Sequence, residues 1–189
     1  MATELKDYIK IYDNVIDKSF ADKVIETFDL DFENHEYIDR EKRPSFTQLN
    51  ISKQYNDKES KWKFIQEKIQ QVFIDYVGLY MQSLDCAPDF PSKYCFEEYR
   101  IKKYNTAVDE FKDHVDVQDY NSARRFLVCF LYLNRPNSGG LTSFPKLDYA
   151  VEPRVGRVLI FPPTWMYRHA GQPVISGTKY IIGSYLHYL

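Results

Sequence analysis

The chain has 189 residues, 44% of them hydrophobic, enough for one substantial core and most simply a single domain. Its 25 basic and 27 acidic side chains leave a formal net charge of −2, which argues against a nucleic-acid partner or a membrane surface held by charge. Three cysteines, Cys86, Cys95 and Cys129, with no C-x-x-C spacing, argue against a disulfide framework and suit free thiols in a reducing compartment.

Residues 1–6 lack an apolar leader segment and no later run approaches the length of a membrane span, so a soluble, cytoplasmic protein is expected. Residues 9–12 alternate as an opening strand. Residues 18–28 follow with Phe20, Val24, Ile25 and Phe28 at helical spacing, which predicts a helix on a sheet. The polar, mixed-charge stretch 39–56 surrounds an alternating segment, 46–51, and reads as a solvated loop plus an edge strand. Residues 60–83 predict a longer amphipathic helix, because Trp62, Ile65, Ile69, Val72, Phe73, Tyr76 and Tyr80 recur at three and four. That stripe reads as core.

From residue 96 on, strands dominate. Residues 96–104 approximate alternation, 111–117 suit a strand better than a helix, and 126–133 are continuously apolar, as in a strand buried on both faces. Cys129 lies in that run and is expected in the core. Short strands separated by turn signals at Asn134-Arg135-Pro136-Asn137, Pro145-Lys146 and Pro162-Pro163 predict a mainly β fold with supporting helices, a sandwich or jelly roll.

The chemistry concentrates in His114-Val115-Asp116 and in His169, fifty-five positions after the first histidine. Two histidines and one carboxylate in this order can hold a non-heme Fe(II) and leave half its coordination sphere open for a cosubstrate and dioxygen. On a strand His114 and Asp116 would share a face while Val115 turns to the other layer, and His169 would come from a second strand. A surface aspartate and two histidines at the edge of a core would give the same pattern, and the same ligands describe catalytic zinc sites. Lys179 lies ten residues beyond His169. A straight strand would carry it on the order of 30 Å away. Gly171-Gln172-Pro173 and Ser176-Gly177 supply turns that return the chain, so Lys179 can open a strand, 179–186, near the metal. Buried there it needs an anion; at a solvated strand end it needs none.

Residues 99–189 resemble the catalytic core of the Fe(II)- and 2-oxoglutarate-dependent dioxygenases, in their prolyl-4-hydroxylase-like branch. The matching pieces, in order, are Tyr104, His114/Asp116, Arg125 through Tyr132-Leu133-Asn134, Gly139-Gly140-Leu141-Thr142-Ser143-Phe144, Glu152-Pro153-Arg154-Val155-Gly156, Phe161-Pro162, His169-Ala170-Gly171-Gln172-Pro173-Val174 and Gly177-Thr178-Lys179-Tyr180. The resemblance implies a double-stranded β-helix, a cupin-like jelly roll, over 96–189, with 1–95 in support. It implies Fe(II) held by His114, Asp116 and His169, and 2-oxoglutarate chelating that iron. Lys179 would pair with the distal carboxylate, Tyr132 would hydrogen-bond it, and Tyr104 would line the pocket near the metal. Thr142 and Thr178 are further candidates for the same pocket, or simply β-branched residues facing the core.

The implied reaction couples oxidative decarboxylation of 2-oxoglutarate, with dioxygen and with ascorbate as an optional addition, to hydroxylation of an unactivated C–H bond; succinate and carbon dioxide leave. The expected substrate is a protein or peptide side chain, proline first. A free amino acid or other small molecule is the alternative, and a non-catalytic cupin-like metal module is a third class. Demethylases of alkylated nucleic acid usually carry arginine where this chain has Lys179. One departure from the family concerns residues 105–110, which contain no glycine where relatives often have several, so that loop is expected to differ in shape. In similar enzymes a mobile loop near 39–56 closes over a peptide. His187 and His35 do not fit the triad spacing, Trp165 suits either the substrate mouth or the barrel edge, and Arg168 would face away from the site.

Overall fold

Strand-forming stretches from both halves of the chain pair into one large antiparallel sheet, and two helices cover one of its faces. The computed structural model describes residues 4–40, 44–55 and 60–189. Its elements are β1 (Lys10–Tyr12), α1 (Lys18–Leu30), β2 (Glu36–Asp39), β3 (Ser45–Asn50), α2 (Ile51–Gln54), α3 (Lys61–Leu84), β4 (Tyr94–Phe96), β5 (Arg100–Asn105), β6 (Phe111–His114), β7 (Arg125–Tyr132), β8 (Ser138–Gly139), β9 (Thr142–Phe144), β10 (Tyr149–Val151), β11 (Arg157–Phe161), β12 (His169–Gly171), β13 (Val174–Ser176) and β14 (Thr178–Tyr188). The 8-stranded sheet runs β1-β11-β7-β14-β5-β3-β2 with β4 beside β14; a 4-stranded sheet runs β10-β9-β12-β6, and β13 pairs with β8. This is the mainly β jelly roll with supporting helices that the sequence predicts.

Side-chain alternation sorts the large sheet into two cores. Leu49, Ile101, Leu131, Ile160 and Ile182 pack against Phe20, Val24 and Phe28 of α1 and against Trp62, Ile65, Ile69, Phe73, Val77 and Tyr80 of α3. Their inward neighbours Tyr104, Val128, Phe130, Tyr132, Phe161 and Ile181 meet Phe144, Val151 and Tyr167 in the space between the sheets. Both helices start where the sequence puts a cap. The Asp17 carboxylate accepts the Phe20 N–H at 2.7 Å and the Ser60 hydroxyl oxygen accepts that of Trp62 at 3.2 Å. Cutting a fully packed aromatic such as Phe73 back to alanine would cost roughly 3–5 kcal/mol.

Several expectations need correction. Residues 46–51 are not an edge strand: β3 sits between β5 and β2, and β2, hidden in polar sequence, forms the edge. Residues 96–104 are two strands, because the chain leaves the ladder at Glu97, whose N–H donates to the Tyr185 carbonyl at 2.8 Å. The strand expected over 111–117 ends at His114. Parts of the 39–56 segment, residues 41–43 and 56, lie outside the described residues, as do residues 1–3. In the glycine-free 105–110 loop, Ala107 itself takes a left-handed φ of 58°. Buried Asp109 holds the loop by accepting the Asn105 N–H at 2.8 Å and its side-chain amide at 2.9 Å. Among the described residues no helix is long and apolar enough to cross a membrane.

Candidate active site

His114 and His169 are Cα partners in the β6–β12 ladder, so their rings emerge side by side with centroids 4.3 Å apart. Each imidazole is oriented from behind: His114 Nδ1 donates to the Lys112 carbonyl at 2.8 Å and His169 Nδ1 to the Tyr167 carbonyl at 3.1 Å. With the proton on Nδ1, both Nε2 lone pairs face the same space. Phe111 stacks on His114 at 3.6 Å, nearly parallel, while Phe161 meets His169 edge-on at 4.9 Å.

Asp116 joins them from the bend after β6, not from the strand itself, a correction to the period-two expectation. Its N–H donates to the Pro163 carbonyl at 3.2 Å and its own carbonyl accepts from Arg125 Nη1 at 3.1 Å, which pins the bend. Arg125 is held in turn by Glu97, which accepts from Nε and Nη2, each at 2.8 Å. Asp116 Oδ1 lies 3.3 Å from His114 Nε2 and accepts the Tyr185 hydroxyl at 3.0 Å; Oδ2 lies 3.5 Å from His169 Nε2. Oδ2 is buried without a hydrogen-bond partner. The three ligand atoms fall within 4.8 Å of one another, the spacing of groups that could share one metal ion. Burial pushes the Asp116 carboxyl up, but the facing histidines and Tyr185 overcome it and hold the group down to about 2. Burial lowers His169 to about 4, with Asp116 opposing, so the imidazole is neutral at neutral pH.

A second cluster occupies the inner faces of β14, β5 and β7. Lys179, opposite Tyr104 in the ladder, is 1% exposed. Its ammonium donates to the Gly140 carbonyl at 3.0 Å and lies 4.5 Å from the Tyr104 ring centroid, with no carboxylate partner among the described residues. Burial alone lowers it to about 7. Gly140, at φ +72°, makes room for this amine, since a Cβ there would stand 3.3 Å from Lys179 Cδ. The Tyr132 hydroxyl shares a 2.6 Å hydrogen bond with Thr142 Oγ1, and burial raises the Tyr132 and Tyr104 phenols. Thr178 does not join this group. Adjacent to Lys179 on β14, it falls on the opposite face, the side of Tyr180 and the helices.

The donor set fits a divalent metal, because an orphaned buried carboxylate oxygen and two imidazole lone pairs converge on one point. Lys179, buried with no carboxylate partner among the described residues, is a group that could pair with an organic anion. Sequence reasoning missed Tyr185, Phe111 and the Arg125–Glu97 pair. Tyr185 was open to discovery, since it sits six residues from Lys179 and period two puts both on one face. His187 contacts Cys95 beside Glu97, apart from the ligand cluster. Trp165 is 70% exposed and does not pack on the barrel edge, and Arg168 pairs with Asp113 at 2.5 Å.

Residues 99–187 match the model of the 2OG-Fe(II) oxygenase superfamily. A putative prolyl 4-hydroxylase of Acanthamoeba polyphaga mimivirus is 30% identical over 97 residues, 47% of this chain and 40% of that protein. This chain therefore spans less than half the length of that relative. Among solved structures, the viral collagen prolyl hydroxylase of Paramecium bursaria Chlorella virus-1, as its 2OG complex, superposes with a TM-score of 0.72 at 21% identity, covering 96% of this chain and 97% of that one. A Trichoplax adhaerens prolyl hydroxylase bound to a hypoxia inducible factor peptide fragment gives 0.69 at 15% identity, covering 96% and 84%. At these identities the structures share the fold.

Proposed function

We propose that this protein is a 2-oxoglutarate-dependent hydroxylase, a reading supported by the match of residues 99–187 to the model of the 2OG-Fe(II) oxygenase superfamily. The observation that carries the reading is the pairing of two incomplete sites: a buried carboxylate oxygen without a partner between two imidazole nitrogens, and a buried lysine without an anion. His114 Nε2, Asp116 and His169 Nε2 would hold Fe(II), and Lys179 would take the distal carboxylate of 2-oxoglutarate. Iron held there with 2-oxoglutarate and dioxygen would supply the oxidising power for hydroxylating a C–H bond, with succinate and carbon dioxide as the cosubstrate's products.

The chain's own residues orient and dry the site. Tyr185 fixes the Asp116 carboxylate, the Lys112 and Tyr167 carbonyls fix the two rings, and Phe144 and Phe161 keep water from His169. The Tyr132–Thr142 hydroxyl pair would turn one donor toward the anion that Lys179 attracts, and Tyr104, whose ring lies beside the Lys179 amine, would flank it from β5. No role is proposed for Thr178.

For the substrate, a cleft of about 630 Å³ opens beside Asp116, lined by Glu97, Glu98, Gln118 and Arg125 among others. Its polar, open form suits an extended peptide better than an enclosed small molecule, and proline is the first side chain to try. Residues 96–189 would be the catalytic core. Residues 1–95 act as support within one domain, contributing three strands to its large sheet and the helices behind it. The test is succinate release when oxygen is admitted to anaerobic protein with Fe(II) and 2-oxoglutarate, with and without proline-containing peptides. Peptide-stimulated succinate is expected; no succinate under any condition would overturn the reading.

A further inference from the structure

Most of the described cations around the ligand cluster have a carboxylate partner. Arg125 pairs with Glu97, Arg100 with Glu98, Arg168 with Asp113 and Lys112 with Glu110. Arg124, at the exposed rim of the cleft beside Asp116, has none, and on the inner face of the sheet Lys179 and Lys102 have none among the described residues. Lys102 lies on β5 two residues from Tyr104, so alternation puts both on the inner face, while Lys103 turns outward to Asp29 at 2.8 Å. The Lys102 ammonium rests 4.6 Å from the Phe46 ring centroid and 5.5 Å from that of Phe111, the ring that stacks on His114. It is thus two ring contacts from a ligand, and it is half-buried where Lys179 is sealed.

Charge bookkeeping then isolates Lys102. A divalent metal, the Asp116 carboxylate, the Lys179 ammonium and a dicarboxylate cosubstrate are together neutral. Lys102 is left over as a desolvated positive charge on a half-buried side chain. Burial lowers its pKa to about 8, with Asp116 pulling it back up and Arg100 and Arg125 pushing it down, so it is still largely charged at neutral pH. The aromatic faces of Phe46 and Phe111 soften this desolvation without neutralising the charge.

We propose that Lys102 binds a carboxylate of the prime substrate, so that the enzyme selects substrates carrying an anionic group close to the carbon that is hydroxylated. The inference rests on the oxygenase reading above. The carboxylate can come from an acidic residue of a peptide or from the backbone of a free amino acid, and both sources present the same chemistry to the ammonium.

The experiment measures anaerobic equilibrium binding to the Fe(II)- and 2-oxoglutarate-loaded protein by calorimetry, followed by succinate formation in air. The peptide arm uses acetyl-Gly-Gly-Pro-Gly-Gly-amide with one glycine at a time replaced by Glu or Gln. The amino-acid arm uses L-proline and L-prolinamide. One Glu peptide is expected to bind about 10-fold or more tightly than its Gln twin, or L-proline than its amide, the difference between a charged and an uncharged partner. Lys102→Gln should erase that preference while 2-oxoglutarate affinity stays put, Lys102→Arg should keep most of it, and Lys102→Glu should transfer it to a peptide with Lys at the same place. A preference for the Glu peptide assigns the peptide source and a preference for L-proline the free amino acid. Equal binding of charged and neutral probes beside intact succinate formation would overturn the role of Lys102 alone. A preference that survives in Lys102→Gln, or a loss of 2-oxoglutarate affinity in that variant, would do the same. A protein that neither binds 2-oxoglutarate nor forms succinate would overturn the oxygenase reading itself.

Discussion

Replacing Lys179 with methionine, which keeps the straight stem and removes the ammonium, should move two measurable quantities in opposite directions. In the protein without cosubstrate the amine is 1% exposed, and burial lowers its pKa from 10.5 to about 7. At about 1.36 kcal/mol per unit, keeping this amine folded at pH 7.5 costs on the order of 4 kcal/mol, as an upper bound. The lost hydrogen bond to Gly140 offsets only about 1 kcal/mol of the gain. The apo variant should therefore be more stable than the wild type. The folded amine has the lower pKa, so between about pH 7 and 10.5 the unfolded chain binds more protons. Wild-type apo protein then gains stability as pH rises through that window, and the variant does not.

Cosubstrate affinity should change the other way. Removing one partner of a buried charge pair costs about 2–5 kcal/mol, roughly 30-fold to several thousand-fold in Kd for 2-oxoglutarate. Binding to the wild type at pH 8 should also draw in close to one proton, because the arriving carboxylate restores the charge that burial had removed; the heat of binding would then depend on the buffer. Urea unfolding from pH 6.5 to 9.5 and titration calorimetry on Mn(II)-loaded protein measure both halves. An apo variant less stable than the wild type, with unchanged 2-oxoglutarate affinity, would refute the placement of an unanswered cation at this position.

Three other outcomes are expected. Asp116→Ala should abolish Fe(II) binding and turnover, and it costs stability only through the Tyr185 hydroxyl, which loses its acceptor, because the other carboxylate oxygen has no partner; an active variant would defeat the site assignment. Tyr185→Phe removes the hydroxyl that holds Asp116 Oδ1 and should weaken Fe(II) binding by about 10–100-fold, read by metal titration, while 2-oxoglutarate affinity at saturating metal stays near wild type. Tyr132→Phe and Thr142→Val each leave a buried hydroxyl unpaired, at about 1–3 kcal/mol in chemical unfolding, so the double variant should lose clearly less than the two singles together; strict additivity would mean that the bond does not form.

The triad is legible because His114 and Asp116 stand two apart and His169 follows a strand-like run and a Pro-Pro turn, yet strand alternation explains only part of it. His114 and His169 meet because β6 and β12 pair in register, whereas Asp116 reaches them from a bend fixed by Pro163 and Arg125. No local pattern announces such a bend. Thr178 shows the opposite failure, since alternation alone sends it away from Lys179 and a motif resemblance had grouped the two. Edge strand β2 stayed hidden because its residues Glu36, Tyr37 and Asp39 are exposed and carry no buried face to set a period. The Arg125–Glu97 pair joins residues 28 apart through the sheet, a link that charge counting cannot find.

What a strand could say in advance is distance, and β14 acts as the ruler of this site. Its inner face presents Lys179, Ile181, Gly183 and Tyr185 in turn, with the amine at one end and the phenol that grips Asp116 at the other. Six residues of extended chain separate those ends by about 20 Å between backbone positions. The amine points to the Gly140 carbonyl and the phenol to Asp116, so the anion-pairing group and the metal-ligand support sit at opposite ends of one strand. Gly183 lets the Phe130 ring lie against the middle of that row, because a Cβ there would press to 3.0 Å on it. β14 pairs with β5 and β7 on both sides, so neither end can drift without breaking a ladder. A single residue inserted between Ile181 and Tyr185 would turn the phenol to the helix face while leaving Lys179 in place. That variant should keep 2-oxoglutarate recognition, lose metal affinity, and so separate the two halves of the site that β14 now joins.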